Sequence, residues 1–394
     1  MSRNSLNPLS FFFTLLPVLL TTSSAPAADS DSILKNVHHV TTLASTVPGN
    51  GDINPYGVAR VPHSIGNLTE GHVLVSNFNN SLNAQGTGRT IVDIAPNGAV
   101  SLFAEINPAE LPGSCPGGVG LTTALVVLRS GWVVVGSLPT TDGTAATIKA
   151  GCLIVLDNTG RPVETFFGSL INGPWDMTAF DGEDQASLFV TNVLNGIIPP
   201  KTPPAVAGPV VKQGTVVRIN LEVSEHQMPW IESMTVIASG FSERTDPVAL
   251  IIGPTGVALS PGCANSDPGD CITKFGESGE PVLYVADTLN NRIVVITDAL
   301  NRKNSAGTGQ TLTTGGSLNG PLGLTVAEGG HLLTVNSGDG FITEITQQGA
   351  QIHKTLLDNS GTPPGAGALF GLIFEQGRGV VFVDDATNTL NLLQ

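Results

Sequence analysis

Short apolar runs bounded by Gly, Pro, Asn or Asp recur along the whole chain, and no apolar stripe with a 3.6-residue period reaches helical length. The pattern predicts strands almost throughout. It also repeats: a Gly- or Pro-led apolar run, a turn, a second Val/Leu-rich run ending in a polar residue, then two further runs. The opening runs begin at Pro55 (PYGVARVP), Gly120 (GLTTALVVL), Pro174 (PWDMTAF), Pro254 (PTGVALSP), Pro321 (PLGLTVAE) and Leu369 (LFGLIFEQ). Their partners read HVLVSN, WVVVGS, SLFVTN, VLYVAD, HLLTVN and VVFVDD.

Successive opening runs lie 48 to 80 residues apart, room for four strands and loops of unequal length. Six such sheets predict an all-β fold, a six-bladed β-propeller, in which radial repetition leaves only short protected edges. The last repeat has room for only three strands. The run His38–Val47 (HHVTTLASTV) precedes the first repeat without a partner. It is therefore expected to supply the outer strand of the last blade and close the ring.

One repeat carries a recognisable signature. Pro254-Thr255-Gly256-Val257-Ala258, followed by Val282-Leu283-Tyr284-Val285-Ala286-Asp287-Thr288-Leu289-Asn290-Asn291-Arg292-Ile293, resembles the NHL repeat, most specifically in Asp-x-x-Asn-x-Arg-Ile. Residues 319–346 match more loosely, and the first three repeats lose the Arg. The resemblance implies the propeller fold; function has to be argued from sites.

Composition narrows the setting. With 32 acidic and 17 basic residues, the net charge of −15 argues against a nucleic-acid partner, which would need a basic face. Residues 1–28 read as a cleavable export signal: Arg3, an apolar core from Leu9 to Leu20, and Ala25-Pro26-Ala27 before cleavage. That core is shorter than the roughly 20 residues a membrane span needs. Residues 29–394 then form a single propeller, exported as a secreted or periplasmic monomer. In such a compartment Cys115, Cys152, Cys263 and Cys271 are expected as disulfides. Cys115 and Cys152 belong to one face of the propeller, and Cys263 and Cys271 to a single loop on the other. Pairing within a face gives Cys115–Cys152 and Cys263–Cys271.

Loops joining second and third strands share a rim with the links between blades. They are long in blades one to three (78–88, 138–150 and 193–213) and short in the rest. Prolines at 199, 200, 203, 204 and 209 stiffen the third. This half-walled rim is the expected binding surface for a protein, glycan or small-molecule ligand. Tyr56 and Trp175 open first strands there, where such a ring either stacks against a flat ligand or, more often, plugs the propeller channel, with Asp176 beside Trp175 as the candidate acid. Where second strands end, Asn77, Asn192, Asp287, Asn336 and Asp384 form a ring of oxygens. Such side chains ordinarily cap their own turns. As a shared set they are the ligands of a second reading, a Ca²⁺-dependent hydrolase resembling the gluconolactonase-like enzymes, with Ca²⁺ as its cofactor. The seven histidines fall off the rim, which disfavours the histidine–zinc chemistry of NHL-type lyases. No GxSxG, HExxH or phosphate-loop motif occurs.

Overall fold

The computed structural model describes residues 1, 32–182, 184–224, 227–260 and 281–394. The expected export signal and the proposed Cys263–Cys271 pair lie outside the described residues. From residue 32 to the C-terminus the strands form six sheets in a ring, the six-bladed propeller that the repeats predict.

Blade one comprises Ile53–Arg60, Val73–Asn79, Thr90–Ile94 and Val100–Glu105, and blade two Leu121–Val127, Val133–Ser137, Cys152–Leu156 and Pro162–Phe166. Blade four comprises Pro254–Leu259, Leu283–Asp287, Arg292–Ile296 and Gln310–Thr314, and blade five Pro321–Val326, Leu332–Asn336, Phe341–Ile345 and Gln351–Leu356. All pairings are antiparallel. Blade six takes Leu369–Glu375, Gly379–Asp384 and Thr389–Leu393 from the C-terminus and its outer strand, Val40–Ser45, from the N-terminal side. Val40 faces Leu393 and Ser45 faces Thr389, so the orphan run closes the ring.

Blade three departs from the four-strand expectation. It has Gly173–Asp181, Gln185–Val193, Val211–Ser224, Gln227–Asp246 and a fifth strand, Leu250–Ile252. The cause is local: the Asp246 carboxylate accepts the Val248 and Ala249 N–H groups, an Asx turn that folds the chain back onto the end of its own fourth strand. Leu250 pays with a positive φ of 60°.

The core is segmented. Buried aliphatic clusters fill the gaps between neighbouring blades, as between blades one and two (Leu74, Ile91, Leu121, Val133, Ile154) and blades four and five (Tyr284, Ile293, Leu324, Leu332). Each blade thus needs both neighbours to bury its faces, which is why the last sheet must be completed by the first strand. A short helical turn, Ile33–Asn36, precedes that strand and is gripped by blade five. Glu344, wholly buried, accepts the Ile33 and Leu34 N–H groups and the Ser32 hydroxyl, and bonds His331 Nδ1 at 2.7 Å. Burial pushes its pKa up, but these bonds outweigh it and hold the carboxyl below the usual range.

Candidate functional site

The walled rim is one interlocked structure. Thr140, in the second wall, donates its N–H to Gly86 O at 2.9 Å and its hydroxyl to Gln85 O. The Gln85 amide in turn reaches the Val248 carbonyl of blade three. The expected disulfide Cys115–Cys152 is present, with a Cα separation of 5.2 Å, and ties the entry of blade two to its third strand. Outward from this roof stand Leu82, Ile198, Val206 and Val248, each 74–89% exposed. Glu243, at the base of the third wall, faces the Leu194 and Asn195 N–H groups, and burial pushes its pKa up to about 8.

The polar residues ending the second strands are equivalent in register, each pairing with the residue that opens its blade. Pro55 faces Asn77, Pro174 Asn192, Pro254 Asp287, Pro321 Asn336 and Leu369 Asp384. They serve the chain beside them. Asn192 Oδ1 accepts the Asn172 and Gly173 N–H groups, and its Nδ2 donates to Leu170 O. The Asn77 amide donates to Thr46 O, and the Asn336 amide to Ser317 O and Asp339. Asp287 is bound at 2.6 Å by Arg292 and also by Asn290. Asp384 accepts the Thr387 N–H, and Asp385 next to it is pushed up to about 7 by burial and then by Asp384. Among the described residues, no three His, Cys, Asp or Glu side chains converge as a metal site. Donors of the chain thus engage oxygens of Asn192, Asp287 and Asp384, while Asn77 Oδ1 and Asn336 Oδ1 are buried without a partner; the five do not offer one free, shared oxygen set for calcium.

Tyr56 and Trp175, the candidate rim aromatics, are buried to 3% exposure, in keeping with the channel plug rather than the stacking surface. The Tyr56 ring stacks on Phe370 at 3.9 Å and Phe78 at 4.5 Å and meets Trp175 edge-on at 6.0 Å. With Leu322 and the wall residues Leu138, Ile148, Leu194 and Ile197, they plug the rim end of the central channel. The plug has a physical cause: six first strands converge on one axis, and large side chains there find one another before they find solvent.

One layer below this plug lies a ring of close contacts. Four blades place glycine there: Gly57, Gly256, Gly323 and Gly371. A Cβ would lie 2.0 Å from Leu322 O at Gly256, 2.0 Å from Phe370 O at Gly323 and 2.3 Å from Tyr56 O at Gly371. Register places Asp176 in this slot in blade three, where Pro174 pairs with Asn192 and Met177 with Val190, as Pro55 does with Asn77 and Val58 with Val75. Thr123 fills it in blade two, donating its hydroxyl to Trp175 O. Asp176 thus sits inside the channel and off the rim surface. Its Oδ2 accepts the Val257 N–H at 3.0 Å, bridging blades three and four. Burial raises its pKa to about 7, against the lowering effect of the Met177 and Val257 N–H groups.

Asp176 and Thr123 line a cavity of about 330 Å³ on the channel axis. It runs along the second halves of all six first strands toward the face away from the walled rim. Its wall includes Leu125, Met177, Val257, Leu324 and Leu372, and at its mouth stand Arg60 and Asp181. The first strands bond only to their second strands, so their inner edges turn backbone N–H and C=O groups toward this space. The sequence signal for Asp176 was available, since aligning the opening runs shows Pro-x-Gly three times, Leu-Phe-Gly once, and Pro-Trp-Asp only in blade three.

No protein-family model and no curated protein matches the sequence. Among solved structures, the chain is similar to a gluconolactonase from Xanthomonas campestris, at 13% identity and a TM-score of 0.50, covering 90% of this chain and 88% of that one. It is similar also to virginiamycin B lyase from Staphylococcus aureus (13%, TM-score 0.48, 90% and 99%). A third is the calcium-binding protein regucalcin from Agrobacterium tumefaciens (13%, TM-score 0.45, 88% and 92%). At 13% identity the likeness to the gluconolactonase supports the propeller fold alone and carries no chemistry.

Proposed function

We propose that the protein is an exported propeller of NHL type that acts as a binding module, docking a partner protein on the roof built by loops 78–88, 138–150 and 193–213. The observation that carries this reading is the set of exposed aliphatic side chains Leu82, Ile198, Val206 and Val248 on those loops and the adjoining Asp246–Leu250 turn. Apolar side chains exposed together on rigid loops favour a protein interface. A glycan would call for an aromatic platform, and Tyr56 and Trp175 are spent in the plug. Residues 1–28 would direct export, and the Cys115–Cys152 bond suits an oxidising compartment. No helix among the described residues is long and apolar enough to cross a membrane.

The test is a triple variant, Leu82→Ser, Ile198→Ser and Val248→Ser, compared with the wild type. A partner isolated on the wild-type protein and then purified should bind the variant at least tenfold more weakly, with the melting temperature of the propeller unchanged. Equal binding to both proteins sinks the reading. A calcium-dependent hydrolase of lactonase type is the second reading, and it draws only on the shared fold. A melt in EDTA against millimolar Ca²⁺ addresses it, because occupancy at 100 times the dissociation constant stabilises by about 2.7 kcal/mol.

A further inference from the structure

We propose that the central channel is a binding site for a small organic cation, with the ammonium head received by the Asp176 carboxyl and an apolar body lying along the aliphatic wall. The site is distinct from the roof and opens toward the other face of the ring.

The argument begins with what the fold demands at this layer. Closing the ring needs only the absence of a side chain, and four blades meet that demand with glycine. Blade three places a carboxyl there, at the narrowest part of the molecule and among Met177, Val257 and Leu125. A carboxylate moved out of water is costly unless something of opposite charge replaces the water. Among the described residues nothing does so: the partly buried Asp176 carboxyl faces two backbone N–H groups, and no cationic side chain contributes. Among them Arg60 is the one cationic residue lining the cavity, and it stands at the mouth, half exposed and paired with Glu375 at 3.6 Å.

The remaining features fit the same guest. The cavity equals about ten liquid waters in volume, room for a single ring or a short branched chain. The Thr123 hydroxyl and the inner-edge carbonyls of the first strands surround the carboxyl, and carbonyls accept from the further N–H groups of an ammonium ion. The −15 charge of the chain raises the local concentration of cations and lowers that of anions. As a structural staple, Asp176 would need only the oxygen that accepts from Val257, and an asparagine supplies that equally well.

Benzylamine is the probe, with benzyl alcohol and benzoate as its neutral and anionic counterparts, titrated calorimetrically into the full-length mature protein. Benzylamine is expected to bind saturably and at least tenfold more tightly than benzyl alcohol, with benzoate not binding. Affinity should rise at least fivefold from pH 5 to pH 8, since the amine stays protonated while Asp176 gives up its proton. Among the described residues, the titratable groups lining the cavity are Arg60 on blade one and Asp176 and Asp181 on blade three; the lining strands of blades two, four, five and six contribute none. Arg60→Gln and Asp181→Asn should therefore leave both affinity and pH dependence in place. Asp176→Asn, which keeps the acceptor for Val257, should weaken binding at least tenfold. Asp176→Gly, the residue of four sister blades, gives the same readout should the amide variant misfold. No saturable binding, equal binding of benzyl alcohol, unchanged binding by the Asp176 variants, or loss through Asp181→Asn alone would each overturn the proposal. The Leu82, Ile198 and Val248 serine variant should bind benzylamine normally, which separates this site from the roof.

Discussion

The two ends of the central channel are made by the same six strands, yet one is filled and the other is hollow. At the rim end the strands carry Tyr56, Trp175, Leu322 and Phe370, and the long loops of blades two and three press Leu138, Ile148, Leu194 and Ile197 onto them. Toward the other face the strands carry residues such as Val58, Ala59, Ala258 and Thr325, too small to meet across the axis. A propeller therefore does not dictate which end of its axis is accessible. The side chains on either side of the glycine slot of each first strand decide it. The plugged end becomes a floor beneath the roof, and the hollow end becomes a room with one carboxyl at its back.

The comparison can be broken most severely at the plug. Tyr56→Ala removes the ring on which Phe78, Phe370 and Trp175 all rest and should cost about 3–5 kcal/mol in denaturant unfolding, because a buried aromatic leaves a void that the rigid strands cannot refill. A loss below about 1 kcal/mol would mean the rim end is loosely packed. Next in size, Cys115→Ser with Cys152→Ser should cost about 2–4 kcal/mol, since the bond closes a 37-residue loop beside that plug. An unchanged melting temperature would show that the interlocked walls suffice without it.

At the hollow end the expected effect is a pH dependence. The Asp176 carboxyl titrates near 7 when folded and near 3.8 in its ordinary state, so the folded protein holds the extra proton between those values. Stability contributed by this group should therefore be greatest at and below about pH 4 and fall as pH rises to 7. Asp176→Asn removes that decline. Melts at pH 4.5 and 7.5 should show the variant gaining on the wild type at the higher pH, and parallel behaviour would contradict the burial of this carboxyl. Asp385 and Glu243 are raised too and shift both proteins alike. Smallest of all, Leu82→Ser and Val248→Ser should change stability by less than about 0.5 kcal/mol, because both side chains already face water.

Much of this architecture is legible in the sequence, and the reason is repetition. Six opening runs and six partners fix the blades, and the orphan run before Pro55 forces the closing strand. The face-by-face reasoning about cysteines yields Cys115–Cys152. The fifth strand of blade three was hidden because Leu250–Ile252 is short and exists only through the Asp246 turn. The sites were harder to read. For Tyr56 and Trp175 the six-blade pattern favours a channel plug over a stacking surface, because it brings six strand openings to one axis, but it does not say which rings they meet. The Asn and Asp ring has the composition of a calcium site, but the Asn192 oxygen is taken by the Asn172 and Gly173 N–H groups and the Asp287 carboxylate by Arg292 and Asn290, which the ring pattern does not reveal. Asp176 is the instructive case: its adjacency to Trp175 suggested the rim, while its place in the glycine register puts it inside.

Residues 40–45 pair with residues 389–393, the widest separation in the fold. The sixth sheet cannot be completed until Thr389–Leu393 meets Val40–Ser45, and the loop-closure entropy of that pairing is the largest in the molecule. Loss of Thr389–Leu393 would leave the closing strand Val40–Ser45 without its partner, and with it the Glu344 grip on residues 32–34 would have to hold the ring alone.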